Sequence, residues 1–235
     1  MGMTEQNRMT IMRKMIFLLT IFAIVACEKE KTKTLTDIDG NSYKTVTIGN
    51  QIWMAENLRV TKYPAGTQIP NVTECADWQA LGANAEAYCF YENNSKNQYG
   101  AYYTYAAAMK ACPTGWHLPT KNEWEEVKIY LYNNSFNGVE GSALKAGTGW
   151  NNNGNGNDNF GFSALPAGQR YRGMISNECI GQFYFIGEVG KWWSATEYDK
   201  NFAYYRWLSS TSNIFYEGTE SDKTGFAARC VKDKN

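Results

Sequence analysis

Residues 99–131 read YGAYYTYAAAMKACPTGWHLPTKNEWEEVKIYL, two helix signatures with a hard stop between them. In residues 99–111 an alanine run carries Tyr102, Tyr105 and Met109 at helical spacing, which predicts a short helix with those three side chains facing the core. Pro113 removes a backbone donor and Gly115 favours a turn, so the helix ends there. Thr120-Lys121-Asn122-Glu123 is a capping box, in which the Thr hydroxyl and Glu carboxylate satisfy backbone N–H groups reciprocally. It opens a second helix with Trp124, Val127 and Leu131 on one stripe, ending at Asn133-Asn134.

Upstream, Asp37-Ile38-Asp39-Gly40-Asn41 is a turn signal. Residues 43–48 alternate and are β-branched, Gly49-Asn50 turns the chain, and residues 51–55 return it, which predicts a hairpin. Residues 63–97 hold Pro64, Gly66, Pro70 and Gly82 and predict loop with short strands. Downstream, residues 151–159 (NNNGNGNDN) read as a polar, flexible loop. Short strands are expected around residues 162–165, 182–186, 192–195, 204–208, 214–216 and 226–231. Two short helices followed by strands make an α+β fold.

Lys+Arg and Asp+Glu are both 23 in 235 residues, so no basic excess exists to release counterions from a nucleic acid, and nucleic acid is not expected as a partner. The 16 Tyr and 8 Trp supply a core and lean toward β structure and ring-stacking surfaces.

Arg13 and Lys14 precede an apolar run, residues 15–26, which is shorter than the ~20 residues of a membrane-spanning helix and reads as a signal segment. Its ending, Ile24-Val25-Ala26-Cys27, resembles a bacterial lipoprotein box. The resemblance implies cleavage after residue 26, acylation of Cys27, and a protein held in the cell envelope, at the outer membrane, by its lipid anchor. Residues 27–36 are a charged, solvated tether, and residues 37–235 form the domain. Export permits disulfides. Cys112 and Cys230 are expected to form a long bridge, Cys75 and Cys89 are close enough in sequence to staple a local excursion, and Cys179 is left over.

Five ordered motifs resemble one family. Residues 37–58 (DIDGNSYKTVTIGNQIWMAENL) look like its opening; residues 112–124 resemble its middle signature; residues 161–168 (GFSALPAG) match a third. Residues 192–197 (WWSATE) and 225–231 (GFAARCV) match its end. Together they are similar to the Fibrobacter succinogenes major paralogous domain family. The resemblance implies a C-type-lectin-like fold, two short helices packed on a twisted, mainly antiparallel sheet with long loops. In that fold the Cys112–Cys230 bridge ties the first helix to the last strand. Tandem Trp192 and Trp193 point to opposite faces of one strand.

Catalysis is not expected. His117 is the only histidine, too few for a triad or a histidine-rich metal centre, and reads as a hydrogen-bonded structural residue. The calcium-binding signatures of sugar-binding C-type lectins are absent, and Asp158 is the one acid in the 151–159 loop, so neither metal nor cofactor is expected. The expected ligand-binding face is the segment 198–217: Tyr198, Asp199, Asn201, Tyr204, Tyr205, Arg206, Ser209, Ser210, Asn213, Tyr216 and Glu217, a composition favoured in paratopes. The alternative is that one alternating set faces the core. The expectation is an adhesin- or receptor-like protein binding a glycan or protein without calcium. Alternatives are a variable receptor diversified by a retroelement and a structural or assembly component of the envelope.

Overall fold

The computed structural model describes residues 34–171 and 183–234; Cys27, the signal segment, residues 27–33 of the tether and Cys179 lie outside them. The fold is α+β, with mainly antiparallel sheets and a few short helices. The strands are β1 (Thr34–Thr36), β2 (Ser42–Ile48), β3 (Gln51–Met54), β4 (Tyr88–Phe90), β5 (Ala101–Tyr103), β6 (Trp116–His117), β7 (Gln169–Arg170), β8 (Phe183–Tyr184), β9 (Val189–Asp199), β10 (Phe202–Ser209), β11 (Ser212–Ser221) and β12 (Val231–Lys232). The helices are α1 (Cys75–Gln79), α2 (Tyr105–Ala111), α3 (Lys121–Leu131) and α4 (Glu140–Leu144). Among the described residues no helix is long and apolar enough to cross a membrane.

A five-stranded sheet runs β1-β2-β3-β12-β6, so the last strand lies between a strand of the opening hairpin and the strand before α3. A three-stranded meander runs β9-β10-β11, and β4-β5 and β7-β8 form two small ribbons. Phe226 and Ala227 knit these together: Phe226 exchanges backbone hydrogen bonds with Tyr103, and the Trp193 amide donates to the Ala227 carbonyl.

The hairpin and second helix form as their local chemistry dictates. The Thr120 hydroxyl accepts from the Glu123 amide at 3.2 Å, the Glu123 carboxylate accepts from the Thr120 amide at 2.9 Å, and Trp124, Val127 and Leu131 are buried. β9 splits the core in two. Trp192 packs with Trp53, Trp124, Phe162 and Phe215 on one side, and Trp193 with Tyr43, Tyr103, Tyr105 and Phe226 on the other. Trp53 and Trp124 have ring centroids 4.4 Å apart, as do Trp193 and Phe226; such pairs contribute about 0.5–1.5 kcal/mol each beyond the area they bury.

Several expectations are corrected. Residues 99–104 are not helical: residues 101–103 are drawn into β5 by pairing with β4, so α2 begins only at Tyr105. Tyr102, now a strand residue, and Tyr105 are buried, but Met109, a turn further along α2, is 43% exposed. There are four α-helices among the described residues rather than two, because α1 and α4 are single-turn pieces within long loops. Residues 162–165 contribute only an isolated bridge, Lys145 to Ala164, and of residues 226–231 only Val231 begins a strand. The expected tether gives way at Thr34 to β1, which pairs with β2.

Cys112 and Cys230 are bridged. Cys75 is disulfide-bonded, but not to Cys89, which is free and buried; the partner of Cys75 lies outside the described residues. The local staple is therefore overturned, and Cys89 is a free thiol among the described residues; the expectation for Cys179 lies outside them. Cys89 lies in the middle of β4 in a cluster with Trp78, Ala87 and Tyr102, and burial pushes its thiol up to about 12, which makes it inert as a nucleophile.

The 151–159 loop is packed rather than loose. A Cβ on Gly154 would lie 2.2 Å from the Ser210 carbonyl oxygen, and one on Gly156 would lie 2.3 Å from that of Lys145. Glycine is needed at both for close backbone approach, not for freedom. Lys145, buried beneath, donates to the Ser209 and Ser212 carbonyls at 3.1 Å each and so holds the β10–β11 turn.

Candidate ligand-binding face

The most recognisable motifs meet at a buried polar node. The Asn57 Oδ1 accepts from Trp192 Nε1 and from Arg229 Nε, both at 2.8 Å, while Asn57 Nδ2 donates to the Tyr99 carbonyl at 2.8 Å. The Arg229 guanidinium also donates to the carbonyls of Phe162 and Ser163 and lies 4.2 Å from the Phe162 ring centroid. Burial lowers its pKa to about 9. Residues from four separate motifs thus satisfy one another inside the protein, which leaves them to hold the scaffold together.

The meander face that carries Trp193 is core around that residue, and beyond it half-buried side chains form the outer part of the same face. Lys191, Trp207 and Tyr216 are cross-strand neighbours in one row across β9, β10 and β11. The Trp207 and Tyr216 rings stack at 4.3 Å with a 17° interplanar angle, both half-buried, and the Tyr216 hydroxyl is fixed 2.8 Å from Ser212 Oγ. In the adjacent row Tyr205 opposes Gly218, where a Cβ would fall 2.8 Å from the Tyr205 ring; the missing side chain lets the ring lie across β11. The Lys191 ammonium donates to Gln169 Oε1 at 2.5 Å and sits 5.0 Å from the Tyr205 ring centroid and 6.0 Å from that of Phe185. Burial lowers its pKa to about 8, partly offset by the nearby Glu220 carboxylate. Phe185 is 49% exposed and takes a left-handed φ of 63°, and the rings continue through Tyr184 to Tyr171. A non-glycine residue held in that region costs of order 1 kcal/mol or more, which neighbouring packing must offset.

The residues of segment 198–217 do not form one surface. Arg206 is 2% exposed, with Nη2 2.6 Å from Glu125 and 3.0 Å from Glu217. Lys121 pairs with Glu217 at 2.8 Å and lies 4.0 Å from the Tyr204 ring centroid, and Tyr204 meets Tyr198 edge-on at 5.6 Å. Tyr198, Tyr204, Arg206 and Glu217 therefore form a network with α3. Asp199 Oδ1 closes the β9–β10 turn by accepting from the amides of Asn201 and Phe202. Ser209 Oγ accepts from the Thr211 amide, the Ser210 amide donates to the Glu188 carbonyl, and the Asn213 backbone packs against Gly141 in the opposite turn. Tyr216 is half-buried in the row with Trp207, and Tyr205, half-buried too, packs inward on Phe226 with ring centroids 4.9 Å apart. Lys191 and Trp207 were missed, although period-two alternation from Tyr205 points to Trp207.

The other chemically eligible groups are occupied. His117 Nδ1 lies 2.6 Å from Asp233 Oδ1 and Nε2 lies 2.9 Å from Glu123 Oε1. Burial opposes charge on the ring, but these two carboxylates outweigh it and raise the pKa. Both oxygens of Asp158 accept from Ser163, from its amide and its hydroxyl, at 2.6 Å. Because the folded pKa of His117 is raised, its stabilisation is present in full below the unfolded value of about 6.5 and is lost as pH rises through the folded one. The ring is over a third exposed, so the effect is expected to be under about 1 kcal/mol. Thermal melts of His117→Gln are expected to fall below wild type at pH 5.5 and to converge with it by pH 9; an offset independent of pH would show that the charge does not matter.

Comparison with curated proteins and with solved structures returns no match. A family model does match, over residues 46–232, the span that contains the Asn57–Trp192–Arg229 node and the whole meander. The chain belongs to the Fibrobacter succinogenes major domain family.

Proposed function

We propose that this protein binds rather than catalyses, taking a glycan by ring stacking on the outer part of this meander face, without calcium. One observation carries the reading: the half-buried Trp207–Tyr216 stack beside Tyr205 and Lys191. Sugar rings present apolar C–H faces to aromatic rings and hydroxyls to neighbouring polar groups, and this face offers both kinds of contact. The paired rings are pre-positioned by sheet packing, which lowers the ordering cost of binding. The polar partners nearest the rings are the Lys191 ammonium, held from behind by the buried Gln169, and the Glu220 carboxylate. The occupation of His117 by two carboxylates and of Asp158 by Ser163 is consistent with a binding role that uses no metal. The α+β arrangement, with a late strand between the opening hairpin and β6, is in keeping with a C-type-lectin-like fold. The lipobox-like ending at Cys27 would present the domain from a membrane surface in the cell envelope.

The test is a glycan array probed with the full chain in mild detergent, with calcium and with a chelator. Hits are expected to survive chelation and to weaken by on the order of tenfold or more in Trp207→Ala, the loss typical of an aromatic anchor. Because Trp207 is only half-buried, the melting temperature of that variant should change little. Unchanged binding by a folded Trp207→Ala protein would rule this face out.

A further inference from the structure

A second site lies away from the aromatic face. Two adjoining clefts, about 370 Å³ and about 410 Å³, share Arg59, Ser95 and Lys96 as lining residues. One wall includes Asn57 and the other Ser163, and both are tied to the buried Arg229. The rim is preformed as well: Asn94 Oδ1 accepts from the Lys96 amide at 3.0 Å, and Asn97 Oδ1 accepts from the Tyr99 amide at 2.7 Å.

The charges lining these clefts are mostly matched. Arg59 pairs with Glu56 at 3.3 Å and lies over Tyr43, 4.5 Å from its centroid, and Asp39 pairs with Lys62 at 3.2 Å. Lys96 is the exception: its ammonium has no ion-pair partner among the described residues, and it stands exposed beside the Asn97 and Gln98 amides. One unmatched cation among amide and hydroxyl side chains suits a ligand with one carboxylate per recognition unit and many hydroxyls. A phosphate, at nearly two charges, would call for a second free cation. A peptide would call for a sheet edge or an apolar anchor pocket along the groove.

We infer that the cleft between Arg59 and Lys96 is a binding site for a carboxylated oligosaccharide, separate from the Trp207–Tyr216 face. The lining residues of the two sites do not overlap, so either can fail without the other. The experiment uses trigalacturonic acid as probe, titrated calorimetrically into the full chain in mild detergent, with its methyl ester as the uncharged control. Wild type is expected to bind the acid, with binding weakened in 0.5 M salt and on the order of tenfold weaker or absent for the ester. Lys96→Glu, at an exposed loop position, should weaken acid binding by at least about tenfold with an unchanged melting temperature. Trp207→Ala should leave acid binding unchanged. No binding by wild type, equal binding by Lys96→Glu, or equal binding of acid and ester would overturn the proposal, as would loss of acid binding in Trp207→Ala.

Discussion

Replacing Arg229 with methionine is expected to lower the unfolding free energy by about 2–5 kcal/mol, among the largest effects of any single side chain here. The methionine fills much of the same volume and removes a buried charge, which by itself would be neutral or favourable. What it cannot do is donate a hydrogen bond. The Phe162 and Ser163 carbonyls lose their donor inside the protein, at about 1–3 kcal/mol each, while Asn57 Oδ1 keeps only Trp192. Lysine should fall between the two, since one ammonium cannot reproduce the planar fork that reaches both carbonyls and Asn57 together. Urea unfolding of wild type, Arg229→Lys and Arg229→Met checks the order. A methionine variant within 1 kcal/mol of wild type would mean that the node is not what joins the motif segments.

The second large effect is expected from the Cys112–Cys230 bridge. It spans 118 residues, and in the chain-entropy account a loop of that length restricts the unfolded chain by about 4–5 kcal/mol. In the folded protein the bridge fastens the end of α2 to the residue before β12, and β12 lies between β3 and β6. The double replacement Cys112→Ala with Cys230→Ala should therefore lower the melting temperature markedly. It should also speed hydrogen exchange of the Met54 amide, whose acceptor is the Cys230 carbonyl. A variant with wild-type stability and unchanged exchange at Met54 would show that sheet pairing alone holds the last strand.

What could be read from the sequence was what short-range chemistry settles. The capping box of Thr120 and Glu123, the stripe of Trp124, Val127 and Leu131, and the hairpin turning at Gly49-Asn50 each depend on residues a few positions apart. The opposite facing of Trp192 and Trp193 follows from strand geometry alone. The long disulfide was the exception: it was expected because closing so long a loop restricts the unfolded chain most, and because the family resemblance implies it.

Where partners come from elsewhere in the chain, the same letters were ambiguous. The tyrosines of residues 99–105 fit a helix as well as a strand, and β5 exists because β4 and Phe226 supply its hydrogen bonds. Gly154 and Gly156 signal either looseness or close approach, and the backbones of Ser210 and Lys145 decide for approach. Alternation along β10 separates Tyr204, Arg206 and Leu208 from Tyr205 and Trp207 without saying which set meets water. Lys121 and Glu125 of α3 reach Tyr204 and Arg206 of the first set, Phe226 packs on Tyr205 of the second, and the Trp207–Tyr216 stack is left half-exposed. Periodicity along one strand names two faces, and only the elements packed against them decide how much of each stays a surface.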